Sequence, residues 1–345
     1  MRLFQVLILL VLVTIPFAAA MAAETDSPPA VTADSINASD LTMVPADYVP
    51  PTAAGETTGS DAVVPSAVPD PAIVKLQILL DRAGASPGVI DGFDGDNVRK
   101  AVSAAETMVG LPADGHFGPD LIAKLETTQP VIGSYTITAD DVAAINAPIP
   151  SDYAEMAQLK FLGYASVTEE LGERFHMDED LLKALNPNAQ WVAGEAVAVA
   201  AWGPNKEGKV ARIEADKGDR QVRGYAADGT LLVAYPATIG SADNPSPTGT
   251  HMVDAVAPMP NYTYNPEVNF TQGDNTKKLI IPPGPNGPVG SMWIDLTEPT
   301  FGIHGTPSPS KIDKTNSHGC VRLTNWDAEE LSKLVEKGVP VEFID

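Results

Sequence analysis

The first change in the hydrophobic pattern comes near the start of the chain. Arg2 precedes an apolar run over residues 3–17, and small residues fill positions 18–23. A positive start, a short apolar run and small residues are typical of a secretory signal peptide, so we expect residues 1–23 to be removed on export. A membrane anchor is the alternative, but the run is short for a span. We therefore predict no stable membrane span after cleavage.

Residues 24–72 lack apolar periodicity. This stretch is rich in Pro, Asp and Glu and contains no Lys or Arg. Such a composition cannot bury enough apolar surface to offset the entropy lost on ordering. The pattern predicts a disordered, acidic, Pro-rich linker.

Apolar residues then recur at helical spacing in three segments of residues 73–128. Between the segments lie two Asp-Gly loops, at 91–95 and 114–119, and each leads directly into a helix start. The pattern predicts a three-helix module. Its two loops and the Gly110-Leu111-Pro112 between them resemble the peptidoglycan-binding type 1 domain, although Ala105-Glu106 stands where that family usually has Phe-Gln. The resemblance implies binding to wall glycan, and a purely architectural role is the alternative.

Residues 131–204 predict two short helices within 162–185 and a closing strand at 196–200. The run Leu181-Leu182-Lys183-Ala184-Leu185-Asn186-Pro187 resembles part of a LysM glycan-binding unit. A small α+β spacer is the alternative.

Strand-like alternation begins near Val210 and dominates the remainder of the chain. It predicts strands at 211–215, 221–225, 231–235, 292–296 and 340–344, with one helix at 325–337. The Pro- and Gly-rich stretch 281–290 is unsuited to a central strand and predicts a surface loop near a cleft. We therefore expect a multidomain protein, in which an all-β-dominated domain at 208–345 follows a small three-helix module and a small α+β module.

The net charge and the cysteine content exclude one class of partner and two kinds of cysteine site. With 45 Asp and Glu against 22 Lys and Arg, the net charge is −23, which would repel a phosphate backbone. Nucleic acid is therefore excluded as a predicted partner. The chain has one cysteine, which rules out an intramolecular disulfide and the multi-cysteine zinc sites.

That cysteine lies in the part of the sequence where potential catalytic residues are closest together. Cys320 follows Ser317-His318-Gly319, and His304 stands fourteen residues before His318. An imidazole that accepts the thiol proton creates the attacking thiolate, and the backbone N–H groups of glycine turns can hold an oxyanion. Two alternatives remain: a buried, inert Cys320, and a zinc centre made by His304, His318 and Cys320.

Several spaced elements of this region resemble one family. His304-Gly305-Thr306, the run Ser317-His318-Gly319-Cys320-Val321-Arg322-Leu323, and Pro245-Ser246-Pro247-Thr248-Gly249-Thr250 resemble the signature of the L,D-transpeptidase catalytic domain, also called the YkuD domain. The resemblance covers roughly residues 210–345. It departs from the family at 285–290, where Asn-Pro-Leu-Gly is usual.

The resemblance implies a cysteine acyltransferase acting on peptidoglycan stem peptides. Cys320 would be the nucleophile and His304 the base, with the Gly305 carbonyl orienting the imidazole. Gly319 and Cys320 would supply the oxyanion hole, and His318 would shape that loop. The predicted substrate-binding residues are Arg322, which suits a carboxylate, and Thr306, Ser317, Thr248 and Trp293.

These assignments also predict the partners, the cofactors and the location of the protein. The predicted partners are stem peptides, glycan and an amine acceptor, either a second stem or a wall-linked protein, and we predict no cofactor and no metal. The protein would be secreted, periplasmic or associated with the cell wall. Two functional alternatives remain: an L,D-carboxypeptidase or endopeptidase, in which water resolves the thioester, and a non-catalytic wall-binding protein.

Overall fold

The structure is a computed structural model that describes residues 31–43, 68–146, 148–241, 244–267, 270–315, 317 and 319–345. The predicted signal peptide and His318 lie outside these residues. The α-helices are α1 Ala33–Ala38, α2 Pro71–Ala83, α3 Asp96–Met108, α4 Pro119–Leu125, α5 Ala139–Ala143, α6 Tyr153–Met156, α7 Val167–Arg174, α8 Glu179–Leu185 and α9 Asn325–Leu334. The strands are β1 Ile132–Thr136, β2 Ala196–Ala200, β3 Arg212–Asp216, β4 Gln221–Tyr225, β5 Leu231–Pro236, β6 Thr238–Ile239, β7 Gly249–Pro258, β8 Tyr262–Tyr264, β9 Leu279–Ile281, β10 Met292–Leu296, β11 Gly302–His304, β12 Val321–Arg322 and β13 Pro340–Ile344. Two 3₁₀ turns span Leu41–Met43 and Pro309–Lys311.

The helical module predicted at 73–128 is confirmed as α2, α3 and α4. Local sequence fixes the ends of α2: the Asp70 side chain accepts from the backbone N–H of Ala72, Pro71 occupies the first turn, and Gly84 ends the helix at φ +90°. None of the helices in the described part of the chain is long and apolar enough to cross a bilayer.

The segment 131–204 combines a two-stranded sheet with short helices. β1 pairs antiparallel with β2, and α7 and α8 lie between them in the chain. This composition agrees with the predicted small α+β module. The LysM assignment of the segment stays a prediction.

Part of the predicted disordered linker is ordered. Residues 31–43 contain α1, whose Ile36 is fully buried together with Leu41. Asn37 fixes this segment to β1, because its Oδ1 accepts from the N–H groups of Val131 and Ile132 at 2.8 and 2.9 Å. Two buried apolar side chains and these hydrogen bonds offset the ordering entropy that the acidic composition alone does not.

A nine-stranded sheet forms the second half of the structure, in the order β5-β4-β3-β13-β7-β10-β11-β12-β6. The pairs β3–β13 and β11–β12 are parallel, and the remaining pairs are antiparallel. The two edge strands, β5 and β6, are separated in the chain by Ala237 alone. The sheet must therefore curl until its edges approach each other, around a core that includes Ile213, Ile294 and Leu331.

The N-terminal modules pack directly against the nine-stranded sheet. One hydrophobic core contains side chains from α1 to α4, β1, β2, α7 and α8, together with Leu231 and Ala234 of β5. The chain after α2 also covers the edge of β5, since Ala234 N–H donates to Gly84 O and Ser86 N–H donates to Ala234 O, both at 2.9 Å. This cover satisfies an edge strand that would otherwise expose unpaired backbone groups.

The prediction of a surface loop at 281–290 is wrong in one respect. Residues 284–287 are buried, although the loop does border a cavity through Pro288 and Val289. The reason is that Leu162, from the preceding module, lies directly over the loop: its N–H donates to Pro283 O at 2.8 Å, and its carbonyl accepts from Asn286 N–H at 3.0 Å. A covering segment so distant in sequence leaves no local signal.

Candidate active site

A cavity of about 420 Å³ opens between the sheet and the β8–β9 hairpin. Its lining includes five of the residues predicted for the site: Trp293, His304, Ser317, Cys320 and Arg322. Strand register explains part of this grouping. His304 of β11 lies opposite Arg322 of β12, while the neighbouring Ile303 and Val321 are fully buried. Side chains alternate along each strand, so His304 and Arg322 share the face that borders the cavity.

The Cys320 thiol is partly buried at the cavity floor. Its Sγ lies 3.7 Å from the carbonyl oxygen of Thr300, which it approaches as a weak donor. Burial raises the pKa of the thiol above its ordinary value of 9.0, against the smaller lowering effects of Gly302 N–H and Arg322. The sulfur in this cavity is therefore protonated at neutral pH.

The His304 imidazole is held as a neutral base. Its Nδ1 lies 2.6 Å from the Gly305 carbonyl oxygen, which can only accept, so Nδ1 carries the proton and Nε2 keeps its lone pair. Burial, followed by the positive charge of Arg322, lowers the pKa of His304 to about 3. Trp293 stacks against the ring at 5.5 Å between centroids and 18° between planes. The indole and the Gly305 carbonyl together fix the ring orientation.

The turn that carries Cys320 is held by two serine hydroxyls. Ser317 Oγ donates to Cys320 O at 2.6 Å and accepts from Gly240 N–H at 2.8 Å, while Ser246 Oγ donates to Gly319 O at 2.7 Å. Gly319 has φ +105°, and a Cβ there would lie 2.7 Å from the Phe301 ring. Backbone conformation and space both require glycine at this position.

Arg322 lies in the cavity without an acidic partner among the residues that the structure describes: no carboxylate of theirs comes within 4.0 Å of its guanidinium. Burial lowers the pKa of Arg322 below its usual value, but a guanidinium keeps its charge in proteins. A half-buried, positively charged fork next to the thiol is suited to a carboxylate ligand.

The structure does not place every predicted residue on the cavity. Thr248 is exposed outside it, and its carbonyl accepts from the His251 ring at 3.2 Å. Thr306 is buried behind His304, with its N–H donating to Asn325 Oδ1 at 3.0 Å. Gly305 lies against the same amide, since a Cβ there would be 2.1 Å from Asn325 Oδ1. The roles of Thr248 and Thr306 in substrate binding have no contact with the cavity to support them.

Two predictions involve His318 and stay predictions, because that residue lies outside the described part of the chain. They are its role in shaping the oxyanion loop and the alternative zinc centre with His304 and Cys320. Gly319 N–H, predicted for the oxyanion hole, donates to Ser317 Oγ at 3.3 Å. That distance is long for an N–H···O bond and leaves the donor available for a stronger acceptor.

Asn325 was not among the predicted site residues, but its side chain connects several parts of the site. Its Oδ1 accepts from the N–H groups of Ser291 and Thr306, both at 3.0 Å, and its Nδ2 donates to Glu173 Oε2 at 2.8 Å and to Pro285 O at 3.2 Å. In the sequence, Asn325 indicates only the start of a helix. Its contacts with the strand ends come from tertiary packing.

Two models of known protein families match this chain. Residues 211–343 match the model of the "L,D-transpeptidase catalytic domain", YkuD, and residues 69–125 match the model of the "Putative peptidoglycan binding domain". The three-helix module and the catalytic-domain resemblance drawn from the sequence are thereby confirmed as family assignments.

Curated relatives carry the same family name. The chain is 28% identical over 178 residues to "Putative L,D-transpeptidase YkuD" of Bacillus licheniformis, a match that covers 51% of this chain and 92% of the relative. It is 31% identical over 111 residues to the Bacillus subtilis protein of that name, and 30% identical over 125 residues to "Probable L,D-transpeptidase YbiS" of Escherichia coli. These two matches cover 32% and 35% of this chain, but only 52% and 40% of the relatives.

Solved structures give a partial likeness. An L,D-transpeptidase from Mycobacterium smegmatis aligns with a TM-score of 0.33 and 22% identity, over 45% of this chain and 64% of that one. L,D-transpeptidase 3 from Mycobacterium tuberculosis aligns with a TM-score of 0.33 and 17% identity, over 45% and 76%. The family-model matches therefore place residues 211–343 in the YkuD family of L,D-transpeptidase catalytic domains, and residues 69–125, which precede them, in a family of peptidoglycan-binding domains.

Proposed function

We propose that this protein is an exported peptidoglycan L,D-transpeptidase, working in the periplasm or at the cell wall, that forms a thioester between a stem tetrapeptide and Cys320 and transfers the acyl group to an amine. The observation that carries the proposal is the cavity shared by the Cys320 thiol, the His304 imidazole and the Arg322 guanidinium. The two family matches support the reaction class and a peptidoglycan substrate.

The first half-reaction uses the neutral thiol and the neutral imidazole. His304 Nε2 accepts the thiol proton while Cys320 Sγ attacks the carbonyl carbon of the third stem residue, a diamino acid. The carbon–nitrogen bond to the terminal D-alanine then breaks, and the departing nitrogen takes the proton from His304. The products are a thioester on Cys320 and free D-alanine, with His304 returned to its starting form.

Charge develops on the carbonyl oxygen during this attack, and the backbone N–H groups of Gly319 and Cys320 are assigned to stabilise it. The Gly319 N–H is held by a long bond to Ser317 Oγ, so turning to the stronger anionic acceptor costs little. Such preorganised donors are worth about 3–4 kcal/mol of transition-state stabilisation.

The second half-reaction decides between the two enzymatic outcomes. An acceptor amine attacks the thioester, loses a proton to His304, and releases the Cys320 thiol, which regains that proton. The acceptor is a second stem or a wall-linked protein. Hydrolysis requires water instead, and Tyr153, Tyr262 and Trp293 line the cavity and reduce the space open to water. We therefore favour transfer over hydrolysis.

Product analysis tests this proposal. Incubation of the mature protein with a tetrapeptide stem should release D-alanine and yield a crosslinked dimer, detected by mass. A tripeptide without dimer would assign the carboxypeptidase alternative, and no product would indicate the non-catalytic one. Cys320→Ala and His304→Gln should abolish product formation. His251→Gln is the matched control, because that histidine lies on β7 outside the cavity.

A further inference from the structure

One wall of the cavity comes from outside the family-matched domain. Tyr153 of α6 lies more than fifty residues before the start of the match at residue 211, yet it lines the same cavity as Cys320 and Arg322. The helix that carries it belongs to the segment 131–204. This segment, taken from sequence as a glycan-binding or spacer module, therefore contributes directly to the catalytic cavity.

Hydrogen bonds hold this helix in place against the hairpin. Tyr153 N–H donates to Gln272 Oε1 at 3.1 Å, and Gln272 Nε2 donates back to Ser151 O at 3.0 Å. Asn275 Nδ2 adds a bond to Asp152 Oδ2 at 2.9 Å. These contacts join both sides of the helix start to the loop between β8 and β9, so the helix and the hairpin form one wall.

Aromatic contacts fix the position of the Tyr153 ring. It meets Tyr262, Tyr264 and Phe270 edge to face, with centroid distances of 5.9, 5.3 and 6.1 Å. A ring surrounded in this way has few alternative orientations, and its hydroxyl is presented at low entropic cost. Such preorganisation is what a residue that selects substrate requires.

Tyr153 and Arg322 line the same cavity, close enough for the Arg322 charge to affect the pKa of the phenol. Burial raises the pKa of Tyr153 to about 12, and the Arg322 charge opposes that rise. The phenol therefore stays protonated and available as a donor. Arg322 itself has no carboxylate partner in the described part of the chain, so both groups can serve a ligand.

We infer that Tyr153 and Arg322 together form a carboxylate-binding recess beside Cys320, in which the phenol donates a hydrogen bond and the guanidinium pairs with the anion. Resting on the proposed function, we assign the terminal carboxylate of the donor stem peptide as its ligand. Tyr153 would thus be a specificity-determining residue supplied by the segment before the catalytic domain.

A pair of alkylating reagents tests the recess without any peptidoglycan substrate. Iodoacetate and iodoacetamide both alkylate a thiolate with loss of iodide, and they differ in the carboxylate that only iodoacetate carries. Cys320 is the single cysteine of the chain, so adduct mass reports one site. Because both reagents use the same thiolate, the ratio of their rates at one pH cancels the thiol pKa.

Tyr153→Phe should lower the iodoacetate-to-iodoacetamide ratio about ten- to a hundredfold, the effect of one hydrogen bond to a charged group. Arg322→Gln should lower it further. Tyr225→Phe is the matched control, since its hydroxyl contacts Glu214 on β3, outside the cavity, and should leave the ratio unchanged. An unchanged ratio in a Tyr153→Phe protein that melts like the wild type would overturn the recess.

The stem-peptide assignment needs a second measurement. Tyr153→Phe should raise KM for a tetrapeptide with a free terminal carboxylate and leave KM for the corresponding amide unaffected. A fall in the alkylation ratio without any Cys320-dependent turnover would keep the recess and reject the proposed function. Cys320-dependent turnover with an unchanged ratio would keep the proposed function and reject the recess.

Discussion

The Cys320 thiol and the His304 imidazole both start the proposed reaction uncharged, which sets the pH behaviour of the site. Burial raises the pKa of the thiol, and burial with the nearby Arg322 charge lowers the pKa of the imidazole to about 3. A preformed thiolate–imidazolium pair would require the opposite shifts. In the proposed mechanism, the imidazole would therefore accept the proton during the attack rather than before it.

Alkylation of Cys320 by iodoacetamide should accordingly speed up about tenfold for each pH unit from 6 to beyond 9, as the thiolate fraction grows. The rate is measured by intact mass over a pH series, with free glutathione as the reference thiol. A plateau below pH 8 would contradict the neutral resting pair.

The backbone conformation and the close packing of Gly319 constrain the turn that carries Cys320. Gly319→Ala should destabilise the protein by about 1–3 kcal/mol through its positive φ, with an added cost from the clash with Phe301. Gly338→Ala is the matched control, because Gly338 has φ +94° and nothing lies within 4 Å of the point that a Cβ would occupy there. Thermal unfolding should show the larger loss for Gly319→Ala, and equal losses would remove the argument from packing.

Among the elements, α7 and α9 are joined by a buried contact between Glu173 and Asn325. Glu173 on α7 accepts from Asn325 Nδ2, and Asn325 Oδ1 accepts from the backbone N–H groups of Ser291 and Thr306. Burial raises the pKa of Glu173 to about 8, partly opposed by the Asn325 hydrogen bond and reinforced by the charges of Glu169 and Glu329. The helix contact is therefore sensitive to pH.

The raised pKa of Glu173 should make the protein less stable as the pH rises. The folded protein keeps a proton on Glu173 that the unfolded chain, with a pKa near 4.5, has already released. The free energy of unfolding should thus fall as pH rises from 4.5 to about 8, by at most about 1.4 kcal/mol per pH unit. Glu173→Gln should flatten this part of the melting-temperature curve, with Glu126→Gln as the control, because Glu126 is exposed at the end of α4. Parallel curves for the wild type and Glu173→Gln would reject the assignment.

Across the whole molecule, the N-terminal modules and the catalytic domain share buried surface. The first hydrophobic core includes two side chains of β5, and Leu162 covers the loop over the cavity. Lys100 of α3 also forms an ion pair at 2.7 Å with Asp313, which lies in the segment leading to Cys320. The domain at residues 69–125 therefore contacts the segment that leads to Cys320, the proposed nucleophile.

Truncation tests this dependence. A fragment of residues 208–345 should lose its cooperative transition or melt at least about 10 °C below the full chain, because it exposes β5 and loses the Leu162 and Glu173 contacts. Calorimetry of the full chain should show one transition that includes both halves. A fragment with an unchanged melting temperature would show that the catalytic domain is independent.

Local patterns were sufficient for some of the regular elements but missed others, among them β7, the ten-residue strand in the middle of the sheet. The alternation at 221–225 predicts β4 to the residue, and 292–296 and 340–344 coincide with β10 and β13. Strand periodicity and turn residues are local properties, so sequence carries them. The candidate cluster was also predicted from sequence, because Cys320, His304 and Arg322 stand in short, closely spaced motifs, and the structure places all three on one cavity.

Sequence by itself was therefore enough to identify the two family-matched domains and their order, and it predicts the residues of the candidate reactive centre. The tertiary structure decided which distant segments complete that centre: Tyr153 in its wall, Leu162 over its loop and Glu173 behind Asn325. The physical reason is that each of these contacts joins residues more than a hundred positions apart. Their geometry depends on the packing of whole elements, which no local periodicity records.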